Sequence, residues 1–257
     1  MVKNVLVLIL TIIVFAGCTG KQPQSDWTAE EYFRYAKEKY DDEDYFESVR
    51  DFTVVILRYA GSAVADSAQF FLACSHFYMD EYIISAAEFS KLINDMPQSP
   101  LVSEAQYMLG ESYYQMSPRA ELDQQYSWNA VKEFQIFLED YPTSPRREEV
   151  EKKIIELREK FANKYYKNAE LYRKMRNYNS SIIYYNFVLS NYYDTDFADD
   201  AQYGKALSYI ELEDFLQAKE ELLIFLDKFP DSKLLIQVKE KLKEINRTLA
   251  ENDSFSN

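Results

Sequence analysis

Glycine and proline are scarce, with 5 and 7 copies among 257 residues, and there are only one His and two Cys. So few glycines exclude the many tight turns of a β-sandwich and the glycine-rich loops that cradle phosphates. One imidazole and two thiols exclude any site within one chain that needs two His or a cysteine cluster. Basic residues are also in deficit. The 29 Lys plus Arg stand against 43 Asp plus Glu, a formal charge of −14, so nucleic acid is an unfavourable partner. What remains is 47% hydrophobic and 16% aromatic, enough for a packed core and too apolar for a disordered chain. The composition is that of an all-α protein.

The N-terminus reads as an address. Lys3 precedes an apolar run from Val5 to Phe15 that ends in Ala16, Gly17 and Cys18. A charged start, an apolar core and small residues at the end make residues 1–17 a signal peptide. As a helix the run spans roughly 15–20 Å, short of the roughly 30 Å hydrocarbon core, so it is read as cleaved rather than as a permanent anchor. The order Ala16-Gly17-Cys18 resembles the lipobox of bacterial lipoproteins, with Phe15 where that motif usually has Leu. The resemblance implies that the Cys18 thiol receives diacylglycerol and the freed amine a third acyl chain. Several chains, at about 0.8 kcal/mol per buried CH2, give stable attachment where one is marginal. Thr19 in place of Asp after the Cys implies transfer to the outer membrane. Residues 18–25 are then the lipidated Cys and a flexible tether. Cys74, left without an intramolecular partner, is read as a small helix-packing residue.

The rest of the chain repeats with a period of 37. Ala36, Tyr45, Ser48 and Phe52 recur as Ala73, Tyr82, Ser85 and Phe89; Ala169, Tyr178, Ser181 and Tyr185 recur as Ala206, Phe215, Ala218 and Leu222. Gly110 and Tyr113 open a third repeat whose second half, Ala130, Phe134 and Phe137, is displaced by an eight-residue insertion. Each repeat has a small residue in a first helix, an aromatic at the turn, a small residue in a second helix and a bulky one four positions later. This resembles the tetratricopeptide repeat, in which small residues let paired helices approach. It implies a right-handed solenoid of five helical hairpins plus a C-terminal capping helix.

The junctions agree. Pro97-Gln98-Ser99-Pro100, Pro142-Thr143-Ser144-Pro145 and Pro230-Asp231-Ser232 each stop a helix and offer a hydroxyl to cap the next, and Ser62 and Thr195 hold the equivalent places. Thr28 with Glu31 has the spacing of a capping box for the first helix. Met116–Ser127, with Pro118, is expected to be a loop, and Val150, Ile154, Leu157 and Phe161 predict one long helix from about Pro145 to Lys174. A last helix buries Leu235, Val238, Leu242 and Ile245, and residues 248–257 form a polar tail.

In such an array the first helices line the concave surface. Phe33, Phe70 and Tyr107 recur at steps of 37, as do Tyr40, Phe77 and Tyr114, and within each helix the two are seven apart, hence on one face. A row of rigid rings suits an extended peptide with alternating aromatic side chains. The other reading of these rings is that they pack against neighbouring helices. His76 and Cys74, two apart on a helix, point in different directions and make no catalytic pair. Acidic runs such as Asp41–Asp44 and Asp199–Asp200 are read as solvated helix ends. No catalytic residue, no metal site and no cofactor beyond the covalent lipid is assigned.

Lipobox, short tether, five repeats with Pro-x-Ser junctions, and a third-repeat insertion followed by a long helix together resemble the BamD family of outer-membrane assembly lipoproteins. Its most specific stretch is Ser117-Pro118-Arg119-Ala120-Glu121-Leu122-Asp123-Gln124-Gln125-Tyr126, leading to Ala130, Glu133, Phe134 and Tyr141-Pro142. The resemblance implies a periplasm-facing, non-enzymatic subunit of the machine that inserts β-barrel proteins. Residues 26–142, repeats one to three, would be the half that binds unfolded outer-membrane barrel proteins. Residues 143–247, repeats four and five with the cap, would dock on the periplasmic domains of a BamA-like barrel protein, with other assembly lipoproteins as further partners. Family members often carry Arg where this chain has Tyr185. A tetratricopeptide lipoprotein serving cell-wall, Tol–Pal or pilus assembly is the alternative function.

Overall fold

The computed structural model describes residues 26–255, with side chains to Glu251. The expected signal peptide, lipidated Cys18 and tether lie outside the described residues. Among those described, every regular element is a helix: α1 Ala29–Asp41, α2 Tyr45–Arg58, α3 Ala65–Tyr78, α4 Tyr82–Asp95, α5 Val102–Gln115, α6 Gln125–Asp140, α7 Arg147–Lys174, α8 Tyr178–Asn191, α9 Ala198–Glu211, α10 Phe215–Lys228 and α11 Leu235–Phe255. The chain divides into two compact units, one ending at Ala105 and the other beginning at Gln106. The boundary falls inside the span read as repeats one to three.

In the first unit α1 to α4 pack in sequence, and α1 also meets α3. Ala36 and Ala68 are fully buried beside Phe52 and Val55, the small residues allowing the close approach that the large ones fill. Buried hydroxyls join the hairpins, because Ser48 Oγ and Ser75 Oγ lie 2.7 Å apart between α2 and α3. The second unit repeats this device between α8 and α9 with Ser181 and Ser208, 2.8 Å apart. Its cores gather Phe134, Phe137, Leu157, Phe161 and Tyr185, and then Leu222, Phe225, Val238 and Ile245 under the last helix.

A polar clasp fixes the two helices within a hairpin. Gln69 Nε2 donates to Glu88 O (3.0 Å) and Glu88 Oε2 (2.6 Å), and Gln202 does the same to Glu221 at 3.0 and 2.6 Å. Gln106 binds Glu133 in the same way. The amide nitrogen of each buried carboxamide thus finds two acceptors, while Gln69 Oε1 is left buried without a hydrogen-bond partner.

The turns inside four hairpins are identical in form. Glu43, Asp80, Arg176 and Glu213 each adopt a left-handed φ of 59–62°. In each turn two backbone N–H groups close on the end of the first helix, as in Glu43 N to Tyr40 O and Asp44 N to Lys39 O. These are Schellman bonds that satisfy terminal carbonyls. The capping box at Thr28 and Glu31 is present, with reciprocal bonds of 2.9 and 3.2 Å.

Three of the five junction hydroxyls cap as the sequence suggests, one turn ahead of the regular helix, whereas those of Thr195 and Ser62 do not. Ser62, Ser99, Ser144, Thr195 and Ser232 each lie three residues before the regular helix, which starts at Ala65, Val102, Arg147, Ala198 and Leu235. Each accepts through its carbonyl the N–H of that first helical residue, forming one extra turn. Ser99, Ser144 and Ser232 use the hydroxyl to cap this turn at the N–H two residues on, whereas Thr195 returns its hydroxyl to Tyr192 O. The fixed φ of Pro favours such a turn before the helix becomes regular.

The third-repeat loop is shorter than expected, because α6 already begins at Gln125. The reason is Gln124, a buried side chain whose Nε2 donates to Arg119 O and Leu122 O while its Oε1 accepts from Ser127. At the other end α11 continues through the expected polar tail to Phe255, and Leu249, four residues after Ile245, still packs on the core.

Candidate peptide-binding surfaces

Rings on the first helices follow from a repeat in which one face must meet both its own partner and the next hairpin. Phe33 packs on Phe52 and Phe71, with centroids 5.7 and 6.1 Å away. Phe70 meets the fully buried Phe89 at 5.6 Å. Tyr40 and Phe77 belong to a ladder along the turn edge of the first unit: Tyr40–Tyr45 at 5.6 Å, Tyr45–Tyr78 stacked at 5.2 Å and Phe77–Tyr82 at 5.2 Å. These four expected positions are half-buried, and the ring that the ladder exposes is Tyr78. The Lys37 ammonium stands 4.8 Å from the centroid of Phe71, covering its face.

In the second unit Tyr107 is only 5% exposed and packs on Phe134 and Phe137, so its ring serves the core. Its hydroxyl donates to Glu149 Oε1 at 2.6 Å, and that of half-buried Tyr114 to Glu156 Oε2 at 2.6 Å. Lys153 reaches from α7 into this group, pairing with Glu111 and with Glu149 at 3.0 Å. Burial and the bond to Glu149 push the Tyr107 hydroxyl up to about 12. Glu149 is held below its ordinary value, chiefly by Tyr107 and Lys153 against the opposing effect of burial. An open cavity of about 420 Å³ adjoins this network, between Tyr114, Pro145 and the α7 side chains from Glu148 to Glu156.

Sequence reasoning did not find the ring shelf built on α6, α7 and α8. Trp128 is 43% exposed and stacks on Phe161 at 4.0 Å with an interplanar angle of 12°. Tyr165 meets Phe187 at 4.2 Å, and Tyr184 stacks on Tyr172 at 5.2 Å. The signal for it is Tyr165, one helical turn beyond Phe161 (i, i+4), where the apolar stripe read as ending at Phe161 continues as a ring. Tyr185, by contrast, is fully buried; its hydroxyl donates to Glu170, which also holds Arg173 at 3.0 Å. Tyr185 is thus a core residue and offers no surface to a partner.

Cys74 is buried, and burial pushes its thiol up to about 12, the form least able to act as a nucleophile. His76 Nδ1 pairs with Glu81 Oε2 at 2.6 Å, not with Cys74. Among the described residues no group of three or more His, Cys, Asp or Glu is placed to hold a metal ion, and no helix is long and apolar enough to cross a membrane.

Consecutive helical hairpins with small residues at the crossings, left-handed hairpin turns and rings on the first helices define a tetratricopeptide-repeat protein, and residues 200–232 match the model of that repeat. Residues 25–213 match the family described as YfiO, outer membrane lipoprotein; the chain belongs to that family. It is 22% identical over 233 residues to the outer membrane protein assembly factor BamD of Rickettsia prowazekii (strain Madrid E), covering 90% of this chain and 93% of that protein. Among solved structures, the TPR2AB-domain:pHSP90 complex of yeast Sti1 matches with a TM-score of 0.47 at 12% identity, covering 88% of this chain and 86% of the other. The TPR domain of P58(IPK) matches with a TM-score of 0.42 at 13% identity, covering 88% and 66%.

Proposed function

We propose that this chain is a lipoprotein subunit of the β-barrel assembly machinery, held at the outer membrane through lipid on Cys18 and facing the periplasm. It is a non-catalytic scaffold that binds unfolded outer-membrane barrel proteins and docks on the periplasmic domains of a BamA-like protein. The observation that carries this reading is the family match over residues 25–213. The relation, over 90% of this chain, to a protein named as an assembly factor supports it. Half-buried rings on α1 and α3 supply large contact area with few rotors, which suits extended segments of many sequences. Holding a substrate segment beside the insertion site raises its effective concentration there without any bond being made or broken.

Depletion in the native host, followed by quantitation of envelope proteins, tests the reading. Barrel proteins are expected to fall, and a BamA homologue is expected to copurify under gentle detergent. Altered cell wall or pili with undiminished barrel proteins would instead support an adaptor for those assemblies. Mass spectrometry of the purified protein is expected to find a triacylated Cys18 as the first residue; a free thiol there would remove the anchor.

A further inference from the structure

Charge is segregated along this acidic chain. Between Lys160 and Tyr193 there are six basic residues, Lys160, Lys164, Lys167, Arg173, Lys174 and Arg176, against the single acid Glu170. The same span carries ten aromatic residues. Two of the cations are neutralised within the fold, Lys167 by Glu121 at 2.6 Å and Arg173 by Glu170 at 3.0 Å. Lys160 and Lys164, four residues apart and hence on one helix face, hydrogen-bond neutral oxygens instead: Ser117 Oγ at 2.7 Å and Leu122 O at 2.6 Å.

Lys164 lines an open cavity of about 250 Å³ together with Trp128, Phe161, Tyr165, Asp123, Gln124 and Gln125. That volume is below the ~300–1,000 Å³ of drug-sized sites, so it admits a single side chain rather than a whole ligand. Trp128 and, beyond Tyr165, Phe187 at 38% exposure extend it into a shelf of rings. The acid on the rim, Asp123, is used at the start of α6, where Oδ1 accepts from Gln125 N at 2.9 Å. It forms no ion pair with Lys164 among the described residues.

We infer that this shelf docks an extended polypeptide segment in which an aromatic side chain is flanked by Asp or Glu. The ring enters beside Trp128 and Tyr165, and the flanking carboxylate replaces a neutral oxygen as the partner of Lys164 or Lys160. A charge-assisted bond is stronger than the one it replaces, so the exchange favours an acidic segment over a basic one. The inference rests on the scaffold reading only in taking a polypeptide as the ligand, and it is tested by direct binding, independently of depletion.

The probe is a rhodamine-labelled, end-capped ten-residue peptide alternating Phe and Glu, titrated with the purified full chain in detergent and read by fluorescence anisotropy. Controls replace Glu by Lys, or Phe by Ser. The Phe/Glu peptide is expected to bind with an affinity that falls as salt rises, and both controls are expected to bind at least about tenfold more weakly. Lys160→Gln with Lys164→Gln is expected to weaken binding about tenfold, whereas Lys164→Arg retains it. Because these lysines also brace the loop, Trp128→Ala is the second variant; its ring covers the buried Phe161, so its loss is expected to lower the melting temperature modestly and, at a temperature where the variant is still folded, to weaken binding similarly. Equal binding of the Glu and Lys peptides, or unchanged affinity in Trp128→Ala, overturns the inference. If that occurs while depletion still lowers barrel proteins, the scaffold function stands without this shelf.

Discussion

The ring of Tyr185 in α8 occupies the space that a side chain at position 204 of α9 would need. A Cβ on Gly204 would come within 2.6 Å of Tyr185 Oη and 2.7 Å of Cε1. The ring cannot swing away freely, because its hydroxyl is held by Glu170 and the residue is fully buried. Gly204→Ala is therefore expected to destabilise the protein by about 1–3 kcal/mol through overpacking. Thermal unfolding should show the drop, and combining it with Tyr185→Leu should recover part of it. Gly110, whose added Cβ would lie 2.5 Å from Phe134 Cδ1, provides the same test in the third repeat.

Glu170 makes the same region sensitive to acid. Burial alone would push its carboxyl up, but the hydrogen bonds from Arg173 and Tyr185 outweigh this and hold it below its ordinary value near 4.5. A folded pKa below the unfolded one means that the stabilisation is present above the unfolded pKa and is lost as pH falls through the folded one. The stability difference between the parent and Glu170→Gln is thus expected to be largest near neutrality and to shrink from about pH 5 downward. Urea unfolding across that range measures it; a difference that does not change with pH would contradict the assignment.

The left-handed turn residues offer stabilising changes. Glu43, Asp80, Arg176 and Glu213 bear side chains at φ values where glycine has no steric penalty. Glycine at Arg176 or Glu213 is expected to leave stability unchanged or raise it by up to about 1 kcal/mol, since relief of strain opposes the greater freedom of the unfolded chain. Glycine one position earlier, at Met175 or Leu212, is expected to be destabilising because those residues close the helix with negative φ. Comparing melting temperatures of the paired variants separates the two effects.

These turns also show what was legible in the sequence. The hairpins were, because a shift of 37 carries Ala36 to Ala73 and Ala169 to Ala206, and small residues at helix crossings leave few alternatives. The long α7 was, because Val150, Ile154, Leu157 and Phe161 keep a helical period through the irregular part of the chain. The Gln–Glu clasps were not, since their partners stand 19 or 27 residues apart and belong to no helical period. Trp128 was missed for a related reason: the ring it covers, Phe161, is on another helix. Tyr185 was legible as a bulky repeat position, but its burial depends on Gly204, a contact visible only once α8 and α9 are packed.

The row of rings on the first helices can be separated into supporting and presenting members. Phe70 is half-buried and meets Phe89, a fully buried ring of α4, whereas Tyr78 is exposed and stacks on Tyr45 at the turn edge. Truncating a ring packed on the core removes buried area and leaves a cavity, at a cost of about 3–5 kcal/mol for a fully buried ring and correspondingly less for a half-buried one. Phe70→Ser is therefore expected to lower the melting temperature clearly, and Tyr78→Ser to change it by little. If unfolded barrel segments use this edge, Tyr78→Ser should weaken their capture while Phe77→Leu, which keeps apolar bulk beside Tyr82, preserves it. Crosslinking of a photoreactive residue at 78 to a nascent barrel protein reads this directly. Loss of capture only in variants that also melt early would place the whole row in the core.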